Sequence, residues 1–207
     1  RDIVSEVAQT AYQQNFGKIG MQINDSLTAD DWVELYRRLV YWELELEATD
    51  SPMSEMLAMQ KTEANSAFAK FIKRNYADWV STKDAPADRP LMSPDLFKRI
   101  LFPALDKGEK VFFIVLDNFR YDQWRMIHPV LHSIYEVEQE DFYCSILPTA
   151  TQYARNAIFA GLTPLAIDKI MPNLWLNDNE HGGKNQHEED FLRRQMQSQG
   201  KSYKLFF

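Results

Sequence analysis

Cysteine is nearly absent: Cys144 stands alone, so no disulfide can form within the chain and its core must hold it together. No apolar run approaches the ~20 residues that span a bilayer, and Arg1-Asp2-Ile3 does not open a signal peptide. Cations are outnumbered, 23 Lys and Arg against 30 Asp and Glu. The formal charge of -7 argues against passive binding along a nucleic-acid backbone, which needs clustered positive charge. It leaves room for a small anionic substrate held by a metal. These absences lead us to expect a soluble, cytoplasmic protein with no membrane contact.

What is present is ordinary globular material. Of the 207 residues 45% are hydrophobic and 26% charged, enough for a real core without structural metals. The chain does not begin with Met, and Lys204-Leu205-Phe206-Phe207 reads as a strand still in progress, so both ends read as edges of a fragment.

Residues 1–83 read as a bundle of three helices. Ile3, Val4, Val7, Ala8, Ala11 and Tyr12 follow helical spacing. A second helix opens at Thr28 with Asp31 in the capping-box position, and its stripe is Trp32, Leu35, Tyr36, Leu39, Trp42 and Leu46. A third is expected from Ser51-Pro52, with Met53, Met56, Leu57, Ala64, Phe68, Phe71 and Trp79 inward. Met59 is expected in the core as well. Pro86, Pro90 and Pro94 mark a linker, and residues 84–107 end in a helix from Ser93 that Gly108 closes.

After Gly108 the period changes. Val111 to Leu116 is a continuous apolar run, the pattern of a strand buried on both faces. A helix (about Tyr121 to Tyr135), a strand (Phe142–Leu147) and a helix (Thr151 to Ala160, closed by Gly161) follow, so residues 108–207 read as an α/β domain.

Asp117 comes immediately after the first strand, where ligands bind in open sheets, and is a hard donor for a divalent cation. A helix cap or a surface aspartate is the plainer alternative. In Leu147-Pro148-Thr149-Ala150-Thr151 a strand turns through proline into a helix, so a hydroxyl meets the positive helix end. A metal-bound threonine alkoxide would be a competent nucleophile, and a simple N-cap is the alternative. His128 and His132 are four apart but straddle Pro129, which is expected to break the helix between them. His181 and His187 lie in a polar stretch, Asn177–Glu189, that reads as a loop.

Together these motifs resemble a known family. Ile114-Val115-Leu116-Asp117-Asn118-Phe119-Arg120-Tyr121-Asp122 resembles the opening of nucleotide phosphodiesterases of the alkaline-phosphatase superfamily, with Asn118 where that pattern has Gly. Pro148-Thr149-Ala150-Thr151 resembles its nucleophile turn, and Phe159-Ala160-Gly161-Leu162-Thr163-Pro164 the segment after it. With Ala154-Arg155-Asn156 after the turn, the variant is most similar to PglZ domains. The helical lead-in resembles the effector region of PorX-type response regulators.

The resemblance implies an N-terminal helical bundle followed by the first part of an alkaline-phosphatase-like α/β sandwich. It implies a metal-dependent phosphoester hydrolase in which Asp117 binds metal and Thr151 bridges the metals and attacks phosphorus. Thr149 is the second candidate for nucleophile, since either threonine can face the site. Asn118, Arg120 and Asn156 are candidate substrate contacts, and Arg155 balances between phosphate contact and ion pair. The implied cofactor is a pair of Zn2+ ions, with Mn2+ as the alternative, and the remaining ligands lie outside this sequence, so the fragment alone is expected to be inactive. Nucleotides or oligonucleotides are the implied substrates. An upstream receiver domain and a histidine kinase are the implied partners, with a sigma factor, a second copy of the chain and control of type IX secretion as further candidates. The alternative function is a signalling module that docks proteins without turnover.

Overall fold

A computed structural model describes residues 2–48, 51–81 and 83–207. The chain divides into two compact units, one of residues 1–89 with 118–140, the other of residues 90–117 with 141–207.

The first unit is helical. Helices α1 (Asp2–Ile23), α2 (Ala29–Ala48) and α3 (Ser54–Trp79) pack on one another. α2 begins as its sequence dictates: the Thr28 hydroxyl accepts from the Asp31 N–H at 3.2 Å, and the Asp31 carboxylate accepts from the Thr28 N–H at 2.9 Å. Its buried stripe is Trp32, Leu35, Leu39, Val40, Trp42 and Leu46, so Val40 takes the place expected for Tyr36, which is exposed. In α1 the stripe begins only at Ala8 and runs through Tyr12, Ile19 and Ile23, because Ile3, Val4 and Val7 extend past their neighbours into solvent. α3 starts at Ser54, not at Pro52; Ser51 is buried and its hydroxyl accepts from the Met53 N–H at 3.1 Å. Met59 faces outward, a correction to its expected core place, since Leu57, Gln60 and Ala64 form the buried face there.

The bundle buries a polar pair with its aromatics. The Tyr12 hydroxyl donates to Gln60 Oε1 at 2.7 Å, and Gln60 Nε2 donates to the Phe16 carbonyl at 2.9 Å. Both side chains are thereby satisfied inside the core, and burial pushes the Tyr12 phenol up to about 12. Tyr12 also packs on Trp42, ring centroids 5.6 Å apart.

Residues 118–140 join this unit although the sequence assigns them to the following domain. α5 (Tyr121–Leu131) is held to α2 by Tyr36 against Tyr121 and by Glu140, which pairs with Arg37 at 3.4 Å and accepts from Trp124 Nε1 at 2.7 Å. α5 passes through Pro129 without breaking and stops at Leu131, short of the expected Tyr135. His128 and His132 therefore stack, rings 5.7 Å apart.

The second unit packs α6 (Thr151–Ala160) against α8 (Glu188–Ser198), with α4 (Phe102–Asp106) and α7 (Pro164–Ile170) completing its core. Phe97, Phe102, Phe159, Ile167, Trp175 and Phe191 are buried there. The helix expected from Ser93 is assembled from a 3-10 turn (Ser93–Asp95), a wide π turn (Phe97–Leu101) and α4, and Gly108 ends it at a positive φ of 86°.

The expected strands are corrected. Val111 to Leu116 forms no ladder, and among the described residues the pairing is a single parallel bridge between Met92 and Cys144. The run still alternates as extended chain does. Phe113 packs on Phe97 at 4.7 Å and Val115 on the core cluster, whereas Phe112, Ile114 and Leu116 face solvent. The C-terminal segment repeats this, Tyr203 and Leu205 inward and Phe206 outward. Helices thus cover one face of these segments, the other is open, and the full sandwich is not formed by the described residues.

Candidate functional site

Local sequence sets the site's frame within the second unit. α6 begins where the chain leaves the Pro148 turn, with Ala150 as an N-cap that offers no side-chain cap. Thr151 is therefore the first helical residue, at the positive end of the peptide dipoles. At its far end α6 closes on Gly161 with φ 63°. A Cβ added there would lie 2.4 Å from Gln195 Oε1, while Gln195 Nε2 donates to the Phe159 carbonyl at 2.8 Å. Glycine permits both the left-handed turn and the close approach of α8.

Asp117 follows the apolar run, half-exposed, with its carboxylate turned to α6. The Thr151 hydroxyl lies 3.2 Å from Oδ2 and 3.4 Å from Oδ1, a contact across 34 residues of chain. Arg155, one turn further along α6, places Nη1 3.4 Å from Asp117 Oδ2 and Nη2 2.6 Å from Glu188 Oε2. Burial works against the Arg155 charge, but the Glu188 and Asp117 carboxylates outweigh it and raise its pKa. The Arg155 Nε is buried without a partner among the described residues.

Behind this triad lies a polar seam. Asn185 Nδ2 is within reach of the Thr151 carbonyl (3.2 Å), Asn156 Oδ1 (3.1 Å) and Glu188 Oε1 (3.3 Å). Asn156 is buried and donates to the Lys184 carbonyl at 2.9 Å, so its amide faces the 184–188 loop.

The structure thus brings Asp117, Thr151 and Arg155 together. Thr149 is exposed in the turn and, among the described residues, does not share the Asp117 contact. Asn118 and Arg120 belong to the first unit. Asn118 adopts a left-handed φ of 54°, a conformation that glycine and asparagine accept most readily, which accounts for asparagine at the motif's glycine position. Arg120 forms a two-pronged pair with Asp122 at 2.8 and 2.9 Å. His187 pairs with Asp190 at 3.0 Å as α8 begins.

Sequence reasoning missed Glu188 and Asn185. Glu188 carried a signal, since Phe191, Leu192, Gln195 and Met196 follow it at helical spacing, so it stands on the buried face of α8. Asn185 carried none.

A metal fits this geometry only in part. Asp117 and Thr151 present two hard oxygen donors to one point, but no group of three or more His, Cys, Asp or Glu side chains converges among the described residues. Among the described residues no helix is long and apolar enough to cross a membrane.

Comparison with known proteins divides the chain close to the same point, except that residues 118–140, which pack within the helical unit, fall inside the second matched segment. The model for the PorX response regulator linker domain matches residues 2–80, and that for the BREX system PglZ alkaline phosphatase-like domain matches residues 96–205. No curated protein matches the chain. With its helical lead-in and its Asp117–Thr151 pair placed in these two matched segments, the chain belongs to the PglZ alkaline-phosphatase-like family and carries ahead of that domain the linker of PorX-type response regulators.

Proposed function

We propose that the protein hydrolyses phosphoesters as the effector region of a two-component response regulator, with Thr151 as nucleophile. The observation that carries this is the Thr151 hydroxyl resting on the Asp117 carboxylate, which the Arg155 guanidinium also reaches. Thr151 Oγ would form the new bond to phosphorus as the leaving oxygen departs with its electron pair, giving a phosphothreonine that water then cleaves. The hydroxyl proton is directed at Asp117, the acceptor present for it. Bound Zn2+, or Mn2+ in its place, would supply the positive charge that favours the alkoxide and the crowded phosphorus. Asp117 and Thr151 are the residues that would hold it. Nucleotides or oligonucleotides are the substrate class proposed.

A second reading is favoured by the linker match over residues 2–80. In it the same region docks a histidine kinase or a sigma factor, in control of type IX secretion, without turnover. One assay separates the two. In the full-length protein with zinc, release of p-nitrophenol from bis-p-nitrophenyl phosphate is expected to fall on the order of 10³-fold or more in Thr151→Ala, and to persist in Thr149→Ala. Equal rates in wild type and Thr151→Ala would remove Thr151 from the chemistry. No release from wild type would favour the docking module.

A further inference from the structure

A carboxylate buried on the apolar face of a helix needs compensation. The Glu188 side chain is 7% exposed, on the α8 face that also carries Phe191 and Leu192. Unpaired, its charge would be costly there. Its oxygens are instead engaged by Arg155 Nη2 at 2.6 Å and Asn185 Nδ2 at 3.3 Å. Arg155 stands four residues past Thr151, on the same face of α6. Its other terminal nitrogen, Nη1, reaches Asp117 only at 3.4 Å, too far for a strong charge-assisted hydrogen bond. The guanidinium is therefore anchored at a buried end and loosely engaged at the end beside the Thr151 hydroxyl.

We infer that Arg155 receives the ionised non-bridging oxygens of the phosphoester at Thr151, and that Glu188 is the positioning residue that fixes Arg155 for this task. The inference rests on the hydrolase reading of the same site. A planar guanidinium offers paired donors that match phosphate geometry, and its loosely engaged end can turn to an anion reproducibly only if its other end does not swing. Glu188 supplies that restraint. An ordinary surface pair would not, because both of its side chains reorient in water.

The test uses the full-length, zinc-loaded protein and three readouts: inorganic phosphate affinity by calorimetry, kcat and KM for bis-p-nitrophenyl phosphate, and thermal melting. Arg155→Ala is expected to weaken phosphate binding about tenfold or more, the loss of one charge-assisted contact. Glu188→Gln is expected to weaken it less, and to add nothing in the Arg155→Ala background, because Glu188 acts through Arg155. Arg155→Lys keeps a cation opposite Glu188, guarding against misfolding, and should still bind phosphate more weakly than wild type. Unchanged phosphate affinity in Arg155→Ala or Arg155→Lys would overturn the inference, as would a Glu188→Gln loss that persists without Arg155. If the wild type hydrolyses ester while the Arg155 variants bind phosphate normally, only this inference fails. If phosphate binding depends on Arg155 but no p-nitrophenol appears, the hydrolase reading fails and the anion contact stands.

Discussion

Leu35 in the helical unit and Phe112 in the second unit both sit in strongly patterned apolar runs, and they meet opposite fates. Leu35 is 0% exposed, one of a stripe that closes against α1 and α3; Phe112 is 92% exposed, in a run that forms no strand ladder among the described residues. The difference lies in where each element finds its hydrogen bonds. A helix satisfies its backbone within itself, so an amphipathic segment needs only another apolar face to pack on. Extended chain satisfies its backbone only with neighbours in register. Phe97 and Phe159 of α6 cover Phe113, and Val115 packs on the same core cluster, but nothing among the described residues pairs with this run as a strand.

The sharpest way to break this comparison is a matched pair of truncations. Leu35→Ala should cost about 2–5 kcal/mol and melt the helical unit early, since it opens a cavity in a closed core. Phe112→Ala should stay within about 0.5 kcal/mol, as surface changes do. Circular dichroism melts of both would decide, and equal losses would mean that the two runs are not packed differently.

A smaller effect tests whether the second unit is nonetheless tightly built at its helices. Gly161→Ala should destabilise by about 1–2 kcal/mol from its left-handed backbone alone, with more if Gln195 cannot yield the 2.4 Å approach. A urea midpoint equal to that of wild type would contradict the left-handed closure of α6, and a loss no larger than the backbone cost would show that Gln195 yields easily.

The smallest effect returns to the helical unit. The Thr28 hydroxyl and N–H hold the Asp31 carboxyl below the usual carboxylate range. A depressed native value means that this contribution is present above the ordinary pKa of about 3.9 and lost as pH falls through the native one. Thr28→Ala should lower the melting temperature by a few degrees at neutral pH, and by less in acid. A deficit that grows on acidification would contradict the cap.

Much of the helical unit can be read from residue spacing. The Thr28–Asp31 box and the α2 stripe lie within a turn or two of their partners, so local sequence contains nearly all their physics. The exact limits of α6, from Thr151 to the left-handed Gly161, belong to the same class. What spacing could not give was long-range. Whether Val111–Leu116 is covered depends on neighbours far along the chain, and the attachment of residues 118–140 to α2 depends on Tyr36 meeting Tyr121 and Arg37 meeting Glu140. In the candidate site, Asp117 and Thr151 are named from the motifs they stand in, one after an apolar run and the other at the start of a helix, and the structure brings their side chains within 3.2 Å. Glu188 shares the helical spacing of Phe191, Leu192, Gln195 and Met196, which sets it apart from Glu189 and Asp190, but its partner Arg155 lies 33 residues away and spacing does not supply it. Arg155 stood between two readings until the buried carboxylate behind it appeared.

The outward row of Phe112, Ile114 and Leu116 has a practical consequence at the bench. Contiguous oily surface of that kind is what dyes such as anilinonaphthalene sulfonate adsorb to. The native chain should light up such a probe before any heating, imitating a partly melted sample. Its stability is better followed through its tryptophans, of which Trp32, Trp42, Trp79 and Trp175 are sheltered and will report loosening as a spectral shift.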